Sequence, residues 1–265
     1  MPLSATVLGE GRPIVLLPGF ALDSSVMAMA CEPAFTDTRW QRIYLDLPGT
    51  GGSPAGEPTS EAVLADVQKS IADRVGDTRY LLVGHSYGGY LATGLTRRDP
   101  ARVAGLLMIC AGLRIRPTDR DLSAVLPSTP EAGWLDSVPE DLREHFGQAI
   151  GYQTRATADR IAAALSRRGP LDEDYLGALR PAGYQLDDEE DPSSFTGPVS
   201  LLAGRRDRIA GFRDQFAALA RYPHGNFTAL AESGHYLPFE QPEAFARSVR
   251  EWLTSIPEER PAKVG

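Results

Sequence analysis

Short apolar blocks alternate along the chain with longer stretches in which apolar positions recur every three or four residues. Ile14–Leu17, Ile43–Leu45, Tyr80–Val83 and Val103–Ile109 are blocks of strand length. A strand that is apolar at nearly every position, not every second one, is covered on both faces. Between these blocks Val63, Leu64, Val67, Ile71 and Val75 fall on one side of a helix predicted over Glu61–Val75. A second helix is predicted over Ser86–Arg98, stopped by Asp99-Pro100. Buried strands separated by helices imply a mostly parallel sheet flanked by helices, so the predicted fold class is α/β.

The rhythm changes after Gly112. Residues 113–196 read as polar and helical, with helices predicted over Pro139–Ile150, Ala156–Arg167 and Leu171–Leu179. It returns with a strand at Val199–Ala203, a helix at Phe212–Arg221, a strand at Phe227–Leu230 and a helix at Pro242–Leu253. The expected organisation is a core in two parts, 1–112 and 197–265, interrupted by a helical cap over one sheet edge at 113–196. The acidic run Asp187–Asp191, followed by Pro192, reads as an exposed and solvated return linker.

Composition narrows the function classes. With 42% hydrophobic and 23% charged residues in 265 the chain can build a core. A net charge of −8 opposes nucleic-acid binding, which needs a basic face. Cys31 and Cys110 are too few for a disulfide framework, and the four histidines have no zinc-ligand spacing, so no metal site is expected. Met1–Gly11 lacks the marks of a secretory signal, and apolar stretches such as Gly105–Leu113 fall far short of the roughly 20 residues a membrane helix needs. A cytoplasmic protein without membrane association is expected; its oligomeric state is not legible.

The chemistry concentrates in Tyr80-Leu81-Leu82-Val83-Gly84-His85-Ser86-Tyr87-Gly88-Gly89. A buried strand runs into Gly84-x-Ser86-x-Gly88 and then into a helix, the context that makes this motif a nucleophile turn. Ser53, in Gly51-Gly52-Ser53-Pro54-Ala55, fails the same test, because Ala55 replaces a glycine and Pro54 has no N–H to donate. A serine hydroxyl needs a base, normally a histidine steadied by a carboxylate. His85 sits in the turn and should point away from the hydroxyl, His145 lies in the inserted segment as a partly exposed helix residue, and His224 precedes the last strand. His235 follows that strand, at the carboxyl edge where Ser86 also lies, and is the predicted base. Asp207, in the loop after Val199–Ala203, is the predicted acid; the alternative is a loop residue paired with Arg206 or Arg208. The order Ser86, Asp207, His235 matches one serine-hydrolase architecture and not two others.

At this point the chain resembles the α/β-hydrolase family over nearly its whole length. Leu16-Leu17-Pro18-Gly19-Phe20 stands where that family has its oxyanion loop, Asp46-Leu47-Pro48-Gly49-Thr50-Gly51-Gly52-Ser53 looks like its next loop, and Gly234-His235 with Pro238, Glu240, Pro242 and Glu243 is similar to its histidine loop. The resemblance implies an oxyanion hole from the backbone amides of Phe20 and Tyr87, and chemistry without a cofactor. Two departures stand out. Pro18 replaces the family's usual histidine before the glycine, and the chain ahead of Ile14 has room for one leading strand, at Ala5–Leu8, not two.

Serine in the turn argues against the carboxylate-nucleophile branches, haloalkane dehalogenases and epoxide hydrolases. The expected activity is hydrolysis of a small ester, lactone or thioester through an acyl-enzyme. The alternatives are carbon–carbon hydrolysis of diketone-like acids, or a non-hydrolytic lyase, cyclase or ligand receptor on the same fold. Phe20 and Tyr87 beside the turn suggest an uncharged acyl group; Trp134, Phe146, Tyr152, Tyr175 and Tyr184 are the candidate aromatic pocket residues of the inserted segment.

Overall fold

A computed structural model describes residues 2–37 and 39–258. Seven strands form one sheet in the order β1-β3-β2-β4-β5-β6-β7. They are β1 (Ala5–Leu8), β2 (Arg12–Leu17), β3 (Trp40–Leu45), β4 (Tyr80–His85), β5 (Val103–Ile109), β6 (Val199–Gly204) and β7 (Gly225–Leu230). All neighbours are parallel except β1, which lies antiparallel to β3 at one edge. Among the described residues Ala5–Leu8 is the one strand ahead of β2, as expected.

The continuous apolar blocks have their cause in the layers on either side. Ile14, Leu16, Leu81, Val83, Leu107 and Ile109 face one way and pack under α1 (Ser24–Cys31) and α9 (Pro242–Thr254). Val15, Leu17, Leu82, Leu106 and Met108 face the other way, under α2 (Ser60–Val75) and α3 (Tyr87–Arg98). Every residue of β4, β5 and β6 is buried. Helix α1 has no counterpart among the helices that the apolar spacing predicts. Its signal was present in Asp23, whose carboxylate caps the first turn by accepting from the amides of Ser25 and Val26.

Between β5 and β6 the chain carries α4 (Glu140–Ala149), α5 (Arg155–Leu165) and α6 (Glu173–Gly183). Phe146, Ala158 and Ile161 join the apolar layer of α1 and α9, whereas Leu179 joins that of α2 and α3. The segment therefore straddles the sheet. After β6 come α7 (Arg213–Ala218), shorter than predicted because its last turn tightens to a 3₁₀ helix at Leu219–Arg221, and α8 (Leu237–Glu240) ahead of α9. No helix among the described residues is long and apolar enough to cross a membrane.

The acidic run Asp187–Asp191 is solvated only in part: Asp187, Glu190 and Asp191 are exposed, whereas Asp188 and Glu189 are tied to the core. Asp188 pairs with Arg97 and Arg98, the Asp187 amide donates to Glu61, and Glu189 is buried. The fully buried Tyr90 hydroxyl donates to Glu189 Oε2 at 2.7 Å and accepts from the Leu186 amide at 2.6 Å. This strap returns the chain to β6. Tyr90→Phe leaves a buried carboxylate and a buried amide without their partner, so stability should fall by about 1–3 kcal/mol in urea unfolding, with the m-value unchanged.

Candidate active site

Ser86, the junction of β4 and α3, has φ +53° and ψ −116°, a conformation that L residues rarely adopt. Two glycines permit it. A Cβ at Gly84 would collide with the Gly88 carbonyl, and one at Gly88 would strike the carbonyl of Leu17 in β2. The turn is pinned by the Ser86 amide, which donates to Ile109 at 2.9 Å, and by the Ser86 carbonyl, which accepts from Tyr90 and Gly112. Ser86 is thereby presented at the carboxyl edge of the sheet, at the head of α3.

The structure brings the three predicted side chains into one line. Asp207 follows β6 and is fully buried; its Oδ1 accepts from the amides of Ile209 (2.8 Å) and Ala210 (2.9 Å). Its Oδ2 lies 2.9 Å from His235 Nδ1, and His235 Nε2 lies 2.9 Å from Ser86 Oγ. A carboxylate only accepts, so Nδ1 carries the imidazole proton and the Nε2 lone pair faces the serine hydroxyl. Asp207 pairs with neither neighbouring arginine; Arg206 turns instead to Glu232.

Phe20 and Tyr87, the residues of the two predicted amide donors, line the same cavity as Ser86. Tyr87 begins α3, and Phe20 lies in the loop after β2. Neither amide has a hydrogen-bond acceptor among the described residues. Their rings meet edge to face at 6.0 Å, and both contact Tyr184, the Tyr87 ring stacked at 5.1 Å and the Phe20 ring edge-on at 5.8 Å. Of the five aromatic candidates from the inserted segment, Tyr184 reaches the cavity. Phe146, Trp134 and Tyr175 are buried in packing, and Tyr152 is exposed.

His85 does more than point away from the hydroxyl. Its Nε2–H donates to the His235 carbonyl at 2.9 Å, while its Nδ1 faces Gly19, where a Cβ would come within 2.8 Å. Burial, and then the neighbouring His235, pull its pKa down to about 4, so the ring is neutral near pH 7. The His235 loop is held from a second side. The His235 amide donates to Ala149 at 2.6 Å, and Glu240 Oε2 accepts from Gly151 (2.8 Å), Tyr152 (2.7 Å) and Gly234 (2.9 Å). Burial raises the Glu240 pKa to about 7 against the pull of those three amides.

Ser53 is structural, its hydroxyl donating to the Asp46 carbonyl at 2.8 Å. His224 is exposed near the start of β7, and His145 lies on the cavity wall with its Nε2 2.9 Å from the Tyr236 hydroxyl. Cys110, Asp207 and His235 offer ligand atoms within 4.8 Å of one another. Asp207 and His235 are engaged with each other there, and burial pushes the Cys110 thiol well above its usual range, so this trio is a poor thiolate-bearing metal site. Both cysteines are buried free thiols.

A seven-stranded, mostly parallel sheet with these three residues in loops at its carboxyl edge defines an enzyme of the α/β-hydrolase class, and a sequence profile described as the Alpha/beta hydrolase family matches residues 14–248. The chain belongs to that family. It is similar to esterases: 27% identity over 270 positions, covering 95% of this chain and 98% of the other, relates it to a pimeloyl-[acyl-carrier protein] methyl ester esterase of Xanthomonas campestris pv. campestris. An enzyme of the same description from Legionella pneumophila (strain Corby) is 33% identical over 231 positions, covering 87% of this chain and 90% of that one. Among solved structures, an alpha/beta superfamily hydrolase from Oenococcus oeni PSU-1 superimposes with a TM-score of 0.83 at 26% identity, over 96% of each chain.

Two outcomes follow from the His235 supports. Unfolded His85 takes up a proton near pH 6.5 and the folded one only near pH 4, so this residue's contribution to stability is complete above about 6.5 and is lost as pH falls toward 4. The stability difference between wild type and His85→Gln, measured by urea unfolding, should therefore shrink from pH 7 to pH 4.5. Glu240→Gln keeps an oxygen for the three amides, whereas Glu240→Ala strips them; kcat/KM should fall by about tenfold more in the alanine variant, as losing a satisfied buried acceptor implies.

Proposed function

We propose that this enzyme hydrolyses carboxylic esters by two-step acyl transfer, with Ser86 as nucleophile, His235 as general base and acid, and Asp207 as the group that fixes the imidazole. The observation that carries the reading is the unbroken line Ser86 Oγ–His235 Nε2, His235 Nδ1–Asp207 Oδ2, each link 2.9 Å long. In the first step His235 takes the hydroxyl proton as Ser86 Oγ attacks the carbonyl carbon. Negative charge moves to the carbonyl oxygen, between the amides of Phe20 and Tyr87. Each such donor is worth about 3 kcal/mol in the transition state, and the Tyr87 amide has the head of α3 behind it. The tetrahedral species collapses, His235 returns the proton to the departing alcohol, and an acyl-enzyme remains. Water deprotonated by His235 then attacks the acyl carbon, and Ser86 leaves with its proton restored. Asp207 keeps its charge throughout and steadies the imidazolium.

The methyl ester esterase relatives favour an oxygen ester over a thioester or lactone. Residues 113–196 act in this reading as a cap, since Arg120, His145, Arg180 and Tyr184 line the cavity that holds Ser86. That cavity encloses about 350 Å³, room for a small-molecule substrate.

Steady-state kinetics on short p-nitrophenyl esters checks the assignment. Ser86→Ala should lower kcat by at least about 10⁴-fold, and Asp207→Asn should lower it by about 10⁴-fold through the wrong tautomer, both with the fold intact by circular dichroism. An Asp207→Asn variant with near-normal rates would place the acid elsewhere.

A further inference from the structure

The cavity around Ser86 is polarised in a way that the molecule as a whole is not. The chain carries a net charge of −8, yet the cavity wall includes Arg120, Arg180 and Arg208 and no Asp or Glu. Asp207, the carboxylate just behind that wall, already accepts from two amides and His235. Among the described residues no carboxylate pairs with any of the three arginines. Arg97 and Arg98, by contrast, are paired with Asp188 and Glu61.

Each cation is held differently. The Arg180 guanidinium lies 4.0 Å over the Phe20 ring, next to the amide assigned to the oxyanion. Arg120 is partly buried and clamps the loops that frame the site, its Nη1 donating to Ile209 at 2.7 Å, its Nη2 to Ile115 at 2.5 Å and its Nε to Arg114 at 3.0 Å. These bonds use carbonyls only. One N–H on each terminal nitrogen is left over, and the positive charge is not cancelled. Burial lowers the Arg120 pKa; nearby Tyr184, Asp207 and Asp214 act the other way, and Arg180 adds a like charge. Arg208 is exposed, with no side-chain partner among the described residues. Like charges gathered at one concave site, against the net charge of the molecule, are relieved when an anion enters.

We propose that the ester cleaved at Ser86 carries a negative charge away from the scissile carbonyl, received by Arg180 and Arg208 with Arg120 behind them. This rests on the esterase reading and narrows it to one substrate class, acyl esters bearing a carboxylate or a phosphate. The aromatic cluster of Phe20, Tyr87 and Tyr184 serves the uncharged carbons nearest the reacting centre, and the charge lies further out.

The test compares methyl hexanoate with monomethyl adipate, equal in acyl length, by pH-stat hydrolysis. Wild type should favour the anionic ester in kcat/KM by about tenfold or more, the yield of one charge-assisted hydrogen bond, and added salt should raise its KM. Arg180→Gln combined with Arg208→Gln should bring that ratio toward one, chiefly through KM, whereas Arg180→Lys should keep most of it. Because the readout is a ratio on one preparation, general damage to the enzyme cancels. The methyl ester of 6-phosphonooxyhexanoate, run beside them, ranks phosphate against carboxylate. A wild-type ratio at or below one for both anions, or a preference that survives the double substitution, overturns the proposal.

A second readout needs no turnover. Ser86→Ala titrated calorimetrically with adipate and with hexanoate should bind adipate more tightly, and the added arginine substitutions should abolish the difference. If no ester is cleaved while adipate still binds through the arginines, the esterase reading fails and the anion site stands. If neutral esters are cleaved and adipate has no advantage in either assay, the anion site fails alone.

Discussion

The close passage of three backbone segments at Gly84, Ser86 and Gly88 is the constraint on which the site depends. Helix α3 can start against β2 only because no Cβ stands between Gly88 and the Leu17 carbonyl. That approach fixes Ser86 at φ +53° and leaves the Tyr87 amide free at the head of the helix. The loop after β2 is set by the same contact, with Gly19 against His85, and it carries the Phe20 amide. Backbone strain is tolerated here because the sheet on either side is fully buried and over-determines the turn.

A second layer holds the proposed base. The His235 side chain makes the two bonds that the proposed proton transfer uses, but its position comes from its backbone, gripped by His85 at the carbonyl and by Ala149 at the amide. Glu240 adds a three-way tie among Gly151, Tyr152 and Gly234. The segment between β5 and β6 is thus joined directly to the loop that carries the imidazole.

Much of this was legible in the sequence because it is local. A buried strand, a glycine-flanked serine and a following helix occupy ten consecutive residues, and the order of Ser86, Asp207 and His235 is one-dimensional information. Apolar blocks announced the central strands, and the expected leading strand lies at Ala5–Leu8. What stayed hidden is long-range. His85 and His235 are 150 positions apart, and Arg120 and Ile209 are 89 apart. The acidic run read as solvated because its arginine partners on α3 lie far away in sequence. Helix α1 is short and apolar on several sides, so only its Asp23 cap marked it.

The pocket that results has the Phe20, Tyr87 and Tyr184 rings beside the serine and Arg120, Arg180 and Arg208 on its wall. The proposed chemistry rests on Ser86 becoming covalently acylated. The most direct measurement is rapid acid quench of the enzyme during turnover of a p-nitrophenyl ester, followed by intact-mass and peptide mass spectrometry. The account predicts one acyl group per chain, located on Ser86 and absent in Ser86→Ala. Ester turnover with no adduct on that peptide, or with Ser86→Ala equally active, would contradict it.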